Sequence, residues 1–325
     1  MPHNPKFALQ ENIAHNLLFV DGITRCGKSI FSGVIGTIQD CEHLRFTTLL
    51  EHIVPSLFFG VIDRDFAKSS MRTIFNEVAY ETLLSRNANF RPNDQTSILN
   101  YYNPKLYIDR LSHEDGSAVI EKLREKKCIF PYQTHDFMVH LEYLDSLEFD
   151  YRMIQLYRHP IDNIYSWYTR GWGERFLDDP TSFTLSIKHK HYILPWYCAG
   201  YEEEWCTLNA MERCVRTVID LLQQSISQHK KAQRPERILT ITFEDMVQHT
   251  DTQMSRICKF LEREQTAWTE HSLKKANCPR VLDPNARNQK LQTLKSGISN
   301  NLFEQLMDMS SYYENNIYGL LQPIS

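Results

Sequence analysis

No stretch of this 325-residue chain approaches the roughly 20 consecutive apolar residues that a membrane-spanning helix needs. The longest candidate, Val54 to Ile62, is broken by Ser56 and Gly60 and preceded by Arg45 and Glu51. A C-x-x-C pair is missing too. The 8 cysteines stand at positions 26, 41, 128, 198, 206, 214, 258 and 278. That spacing fits no zinc site and reads as thiols of a reducing compartment. Neither sign of charge dominates: 36 basic against 40 acidic residues leave a net charge of −4. Such a chain has no global field with which to hold nucleic acid, although a local basic cleft is compatible with it. Met1 to Asn12 is polar and lacks the apolar centre of a secretory signal, so the sequence predicts a cytoplasmic protein away from membranes. Internal repeats and low-complexity linkers are also absent.

What is present is the composition of a folded protein, 42% hydrophobic and 23% charged, long enough to bury a large core. Four short runs of strand-forming residues stand out: Leu17 to Val20, Cys128 to Tyr132, Met153 to Tyr157 and Ile238 to Phe243. They are continuous rather than alternating, as in strands buried on both faces of a parallel sheet. Helical periodicity separates them. Ile30, Val34, Ile35 and Ile38 share one face, and Met211, Val215, Val218, Ile219, Leu222 and Ile226 share another. Further helices are expected at Met246 to Leu261 and Asn301 to Tyr318. The alternation predicts an α/β fold, a parallel sheet flanked by helices, in one domain over residues 1–325. Two stretches interrupt it. Asn87 to Leu111, rich in Asn, Pro and Asp, reads as a loop excursion. Thr169 to Trp205 carries Trp172, Phe176, Phe183, Tyr192, Trp196, Tyr197, Tyr201 and Trp205, and reads either as a ligand-lining segment or as a cap with its own core.

The first run leads straight into Asp21-Gly22-Ile23-Thr24-Arg25-Cys26-Gly27-Lys28-Ser29 and then into the helix bearing Ile30. Gly22 and Gly27-Lys28-Ser29 satisfy G-x-x-x-x-G-K-[ST] in the strand–loop–helix setting that the pattern requires. Glycine lets the chain curl so that successive N–H groups face an anion, and the helix start adds partial positive charge. Arg25 and Lys28 add full charges. The loop therefore predicts a phosphate or sulfate site, and by itself it leaves a kinase using ATP and Mg²⁺ open, with Asp63 as a conceivable metal-binding acid.

The second constellation is Arg158-His159-Pro160, which closes a strand and opens a helix, followed by Ser166. An arginine at the strand end and a hydroxyl two turns along the helix can grip one phosphate from two sides. Between the two constellations lies Pro131-Tyr132-Gln133-Thr134-His135, just past the second apolar run. An imidazole, with a reference pKa near 6.5, suits proton acceptance at neutral pH.

In these motifs the chain resembles the sulfotransferase family, whose second cofactor motif is a strand, Arg, Pro, and Ser eight residues after the Arg. The resemblance implies a P-loop NTPase-like sulfotransferase fold. It also implies 3′-phosphoadenosine 5′-phosphosulfate as the donor, with Arg158 and Ser166 on its 3′-phosphate. Arg25-Cys26-Gly27-Lys28-Ser29 falls where the family has Lys-Ser-Gly-Thr-Thr or Arg-Ser-Gly-Thr-Thr, the loop around the 5′-phosphosulfate. Small-molecule members carry Lys-Thr-His where this chain has Gln133-Thr134-His135, and the match implies His135 as catalytic base with Arg25 and Lys28 at the transferred group. No metal is implied. Ile238 to Met246, with Phe243-Glu244-Asp245, resembles a late family strand and turn, and Arg287 and Lys290 fall where some members close a basic loop over the donor. Two departures are plain: Lys28 and Ser29 replace a hydroxyl pair, and Gln133 replaces a lysine. The alternatives are the P-loop kinase and a non-catalytic nucleotide-binding protein. The acceptor class stays open.

Overall fold

The first apolar run forms strand β1 (Leu17–Asp21), buried at all five residues. A computed structural model of the chain describes residues 8–94, 96–125, 127–174 and 179–317. Phe176 and Tyr318 lie outside the described residues. After β1 come helix α1 (Ser29–Val34), the short strand β2 (Arg45–Phe46), and helices α2 (Thr48–Phe58), α3 (Arg64–Thr82), α4 (Pro104–Asp109) and α5 (Ser117–Glu125). Strand β3 (Phe130–Gln133), helix α6 (Leu141–Ser146), strand β4 (Tyr151–Tyr157) and helix α7 (Pro160–Tyr168) follow. A hairpin of β5 (Ser186–His189) and β6 (Tyr192–Pro195) precedes α8 (Glu202–Thr207) and the long α9 (Ala210–Lys230). Strand β7 (Ile238–Thr242) and helices α10 (Phe243–Gln248), α11 (Thr250–Leu261), α12 (Thr269–Lys275), α13 (Pro284–Gly297) and α14 (Asn300–Asn316) complete the order.

Five strands pair in the order β2-β3-β1-β4-β7, all parallel. Alternate residues of β1 enter opposite cores. Leu17 and Phe19 join Phe75, Phe130 and Phe137 on one face. Leu18 and Val20 join Phe31, Ile35, Ile241 and Ile257 on the other. Both faces are thus apolar, which is why these strands read as unbroken runs. The consequence for function is geometric. In a parallel sheet every strand delivers its C-terminal end to the same edge, and β1, at the centre, is flanked by strands reached through crossovers on both sides.

Three expectations change. The helix expected over Met246 to Leu261 is two helices, α10 and α11, parted at His249. Asn87 to Leu111 is more than a loop. Asn103 caps α4, Pro104 opens it, and Ile98, Tyr101 and Tyr107 form a small core. Arg110 then grips buried Glu42 with two bonds of 2.8 Å, helped by the Tyr107 hydroxyl at 2.6 Å. Asp63 caps α3 through the Phe66 N–H at 2.8 Å, on the surface, and cannot serve as a nucleotide-site acid. Among the described residues no helix is long and apolar enough to cross a membrane.

Candidate active site

The loop after β1 is pressed so closely to its neighbours that two of its glycines are obligatory. Gly22, at φ +144°, would place a Cβ 2.4 Å from the Leu156 carbonyl oxygen, and Gly27, at φ +114°, would place one 2.4 Å from the Phe243 ring. Between them Arg25 sits at φ +68°, a left-handed conformation uncommon for a residue with a side chain. Helix α7 braces the loop from outside. Trp167 donates from Nε1 to the Thr24 carbonyl at 2.6 Å. The Asn163 amide, in the orientation that satisfies both its polar atoms, donates to the carbonyls of Thr24 and Arg25 at 3.0 and 3.1 Å.

A cleft of about 620 Å³ opens above this loop, at the C-terminal edge of the sheet. It brings together Arg25, Gly27, Lys28, Ser29, His135, Arg158 and Ser166, with Gln133 beside them. Arg25 donates from Nε to the Ser166 hydroxyl at 3.2 Å, so the loop and α7 meet directly. Arg158 donates from Nη1 to the Arg25 carbonyl at 2.9 Å, while its Nε is buried without a partner among the described residues. The Phe243 ring lies 4.4 Å from the guanidinium carbon of Arg158 and 5.3 Å from that of Arg280. Burial, and then the charges of Arg170 and Arg158, hold the Arg25 guanidinium below its ordinary pKa. Like charges crowded around partly buried space, with a donor left over, fit a polyanion that would relieve their repulsion.

His135 follows β3, on the other side of β1 from β4 and Arg158. Its Nδ1 lies 2.5 Å from Glu51 Oε1 on α2, and its ring makes a T-shaped contact with Phe46 at 5.5 Å between centroids. The turn that carries it is tied to the end of β1. Buried Asp21 accepts from the Thr134 hydroxyl at 2.8 Å and from the N–H groups of Phe137 and Met138 at 3.1 and 3.0 Å. Asp136, buried next to the histidine, has its carboxyl pushed well above the usual range by burial, then by Asp21 and Glu51, with Lys28 opposing.

Two expected ligands, Cys26 and the cleft-bordering Lys28, direct their polar ends into the protein. The Cys26 side chain is 1% exposed and packs in the core beneath the loop, and its N–H bonds to the Ile23 carbonyl at 3.0 Å. The Lys28 ammonium points into the loop, donating to the Gly22 carbonyl and, at 3.2 Å, to that of Ile23. It is a strut, because the curled loop aims these carbonyls inward where the lysine stem can reach them. Arg287 and Lys290 are not on a loop over the donor. They stand on α13 and pair with Asp162 at 2.8 and 2.6 Å. Other histidines near the sheet edge and in the aromatic segment are held elsewhere. His140 is buried beside Trp196, and His189 pairs with Glu203 at 3.2 Å.

Several cleft residues carried no functional reading in the sequence: Phe46, Glu51, Arg280 and the pair Thr181–Ser182. The aromatic segment does both things it allowed. Trp172 and Phe183 line the cleft, whereas Cys198 and Trp205 pack with Leu194 in a satellite core. Among the described residues no group of three or more His, Cys, Asp and Glu side chains could hold a metal ion.

Fold and cleft together define an α/β protein with a P-loop-like glycine loop beneath an arginine-lined cleft at the edge of a parallel sheet. A model of the sulfotransferase domain family matches residues 37–315, most of the chain, and the chain belongs to that family. It is thus an enzyme that transfers sulfuryl groups. The match begins after Gly22–Ser29, so the loop's assignment rests on its own pattern and geometry. No curated protein matches the sequence. Among solved structures, the sulfotransferase domain from the curacin biosynthetic pathway aligns with 92% of this chain and 97% of its own at 13% identity, with a TM-score of 0.50. That likeness shows the shared fold. The sulfotransferase domain of a Synechococcus olefin synthase (12% identity, 95% and 99% covered, TM-score 0.45) is more distant, as is a Mycobacterium avium sulfotransferase (14%, 94% and 77%, 0.44).

Proposed function

We propose that the cleft binds 3′-phosphoadenosine 5′-phosphosulfate and passes its sulfuryl group to a hydroxyl or amine of an acceptor that enters beside His135. The observation that carries this reading is the convergence of Arg25, Arg158 and Arg280 around the glycine loop, with an imidazole lining the same cleft. Arg158 and Ser166 take the 3′-phosphate, and the loop from Gly27 to Ser29 with Arg25 takes the 5′-phosphosulfate. The acceptor oxygen or nitrogen forms a bond to sulfur as the bond from sulfur to the bridging phosphate oxygen breaks. His135 receives the acceptor's proton, and the nucleotide leaves as 3′-phosphoadenosine 5′-phosphate. Charge spread over the sulfuryl oxygens is stabilised by guanidinium groups already in place, so positioning and electrostatics supply most of the catalysis. The reading needs no metal, because side chains provide the cations. It treats residues 1–325 as one sulfotransferase-like domain. A cytoplasmic setting, which eight free thiols suit, belongs to it as well.

The test is ligand-linked thermal stability. 3′-Phosphoadenosine 5′-phosphate should raise the melting temperature more than ATP, and EDTA should leave that rise unchanged. A larger rise with ATP that requires Mg²⁺ would return the cleft to the kinase reading.

A further inference from the structure

The bond between His135 and Glu51 joins residues 84 positions apart and has no counterpart in the sequence motifs. Its surroundings are built to hold it. Glu51 sits in the first turn of α2, where the helix start favours a carboxylate. Leu50, Ile53 and Val54 anchor that helix in the core. Phe46, on the strand before α2, packs against the imidazole in a T-shaped contact. Both partners are about one-fifth exposed, at 21% and 20%, so the pair borders the cleft without being immersed in solvent.

A carboxylate only accepts hydrogen bonds, so a bond to Glu51 requires the proton on Nδ1. We infer that Glu51 is the positioning residue of this active site, fixing the His135 tautomer so that Nε2 is the bare nitrogen facing the acceptor. The inference rests on the proposed role of His135 and adds to it the atom that acts and the group that selects it. During transfer the acceptor's proton goes to Nε2, the acceptor bonds to sulfur, and the nucleotide departs. The imidazolium formed keeps its Nδ1–H on Glu51, whose negative charge balances the new positive one. Without that partner the ring is free to hold its proton on Nε2, which cannot then receive another.

The experiment reads the tautomer directly and needs no knowledge of the acceptor. ¹⁵N spectra of histidine-labelled full-length protein are recorded at about pH 8, where an ordinary imidazole is neutral, with the His135 signal assigned by its loss in His135→Ala. The expected result is a protonated Nδ1 and a bare Nε2 in the wild type. Glu51→Leu removes the acceptor, and Glu51→Gln can turn an amide N–H towards Nδ1. Both should shift His135 towards the Nε2–H form while leaving affinity for 3′-phosphoadenosine 5′-phosphate within about twofold. If the leucine variant does not fold, the isosteric glutamine variant carries the test. An Nε2–H tautomer in the wild type, or a tautomer unmoved in the variants, overturns the inference. Neither result touches the base assignment itself, which turnover of His135→Ala decides.

Discussion

The guanidinium carbon of Arg158 lies 4.4 Å from the centroid of the Phe243 ring, although one residue closes β4 and the other opens α10 after β7. Parallel strands make this possible by ending at the same edge. The contact holds the arginine over a buried ring, with Nη1 on the Arg25 carbonyl and Nε unpartnered among the described residues. A guanidinium fixed in this way loses little freedom when it meets a phosphate. Arg158→Ala should therefore weaken binding of 3′-phosphoadenosine 5′-phosphate by about 1.5–3 kcal/mol, the usual range for a bond to a charged group. Adenosine 5′-phosphate, which lacks the 3′-phosphate, should lose much less. Calorimetric titration of both nucleotides checks this, and equal losses would remove Arg158 from the 3′-phosphate.

The same ring limits what the loop tolerates. A Cβ on Gly27 would meet Phe243 at 2.4 Å, and the ring has little room to retreat from two guanidinium groups. Gly27→Ala should cost about 1–3 kcal/mol of strain and distort the anion cradle. Gly60→Ala is the control. Gly60 is also left-handed, at φ +66°, but nothing among the described residues lies within 4 Å of its added Cβ. Melting with and without nucleotide separates the two. Gly27→Ala should lose nucleotide stabilisation, and Gly60→Ala should keep it.

Burial holds three histidines, His43, His140 and His229, down to about 4 each; for His43 the Thr96 carbonyl partly opposes it. Unfolded, an imidazole protonates near 6.5. Between these values the unfolded chain binds more protons, so stability is complete above about pH 6.5 and is lost as pH falls towards 4. Each histidine accounts for at most about 3 kcal/mol of that loss. His140 isolates one proton. Its ring lies 4.7 Å from Phe58 and 4.9 Å from Trp196, and its Nε2 has no partner among the described residues. His140→Phe should gain on the wild type in urea unfolding as pH drops through this window. Parallel pH curves for the two proteins would show that His140 does not contribute.

The parts of the site that were legible in the sequence are those whose chemistry is local. Gly22 to Ser29 announces its turn because the glycines, strand and helix are contiguous, and Arg158 and Ser166 lie within one strand–helix unit. Cys26 and Lys28 belong to the same loop but point inward, since side-chain direction follows the curl of the backbone and not the order of residues. Glu51 was invisible for another reason. Pro55 makes α2 look broken, yet the helix runs from Thr48 to Phe58 and delivers the carboxylate to a distant strand end. Distance in sequence also hid the pairing of Arg287 and Lys290 with Asp162, 125 and 128 residues away.

His135 carries the largest expected effect. Its turn hangs from Asp21, at the end of the strand that feeds the glycine loop, so the proposed base and that loop share one support. The imidazole lines the cleft on the β3 side of β1, away from Arg158 after β4, and in the proposed reading it meets the acceptor and not the nucleotide. His135→Ala should consequently lower turnover by about 10²–10⁴-fold, the usual contribution of a positioned base. Affinity for 3′-phosphoadenosine 5′-phosphate should stay nearly unchanged, which separates lost proton transfer from lost binding. His135→Gln fills the same space and keeps a hydrogen-bonding group, so it should be as inactive as the alanine variant if proton acceptance is the role. The assay requires a genuine acceptor, found by screening phenols, alcohols and amines with labelled donor. A fall of less than about tenfold, outside the range for such a base, or recovery in the glutamine variant, would make His135 a structural residue and leave proton removal to another group.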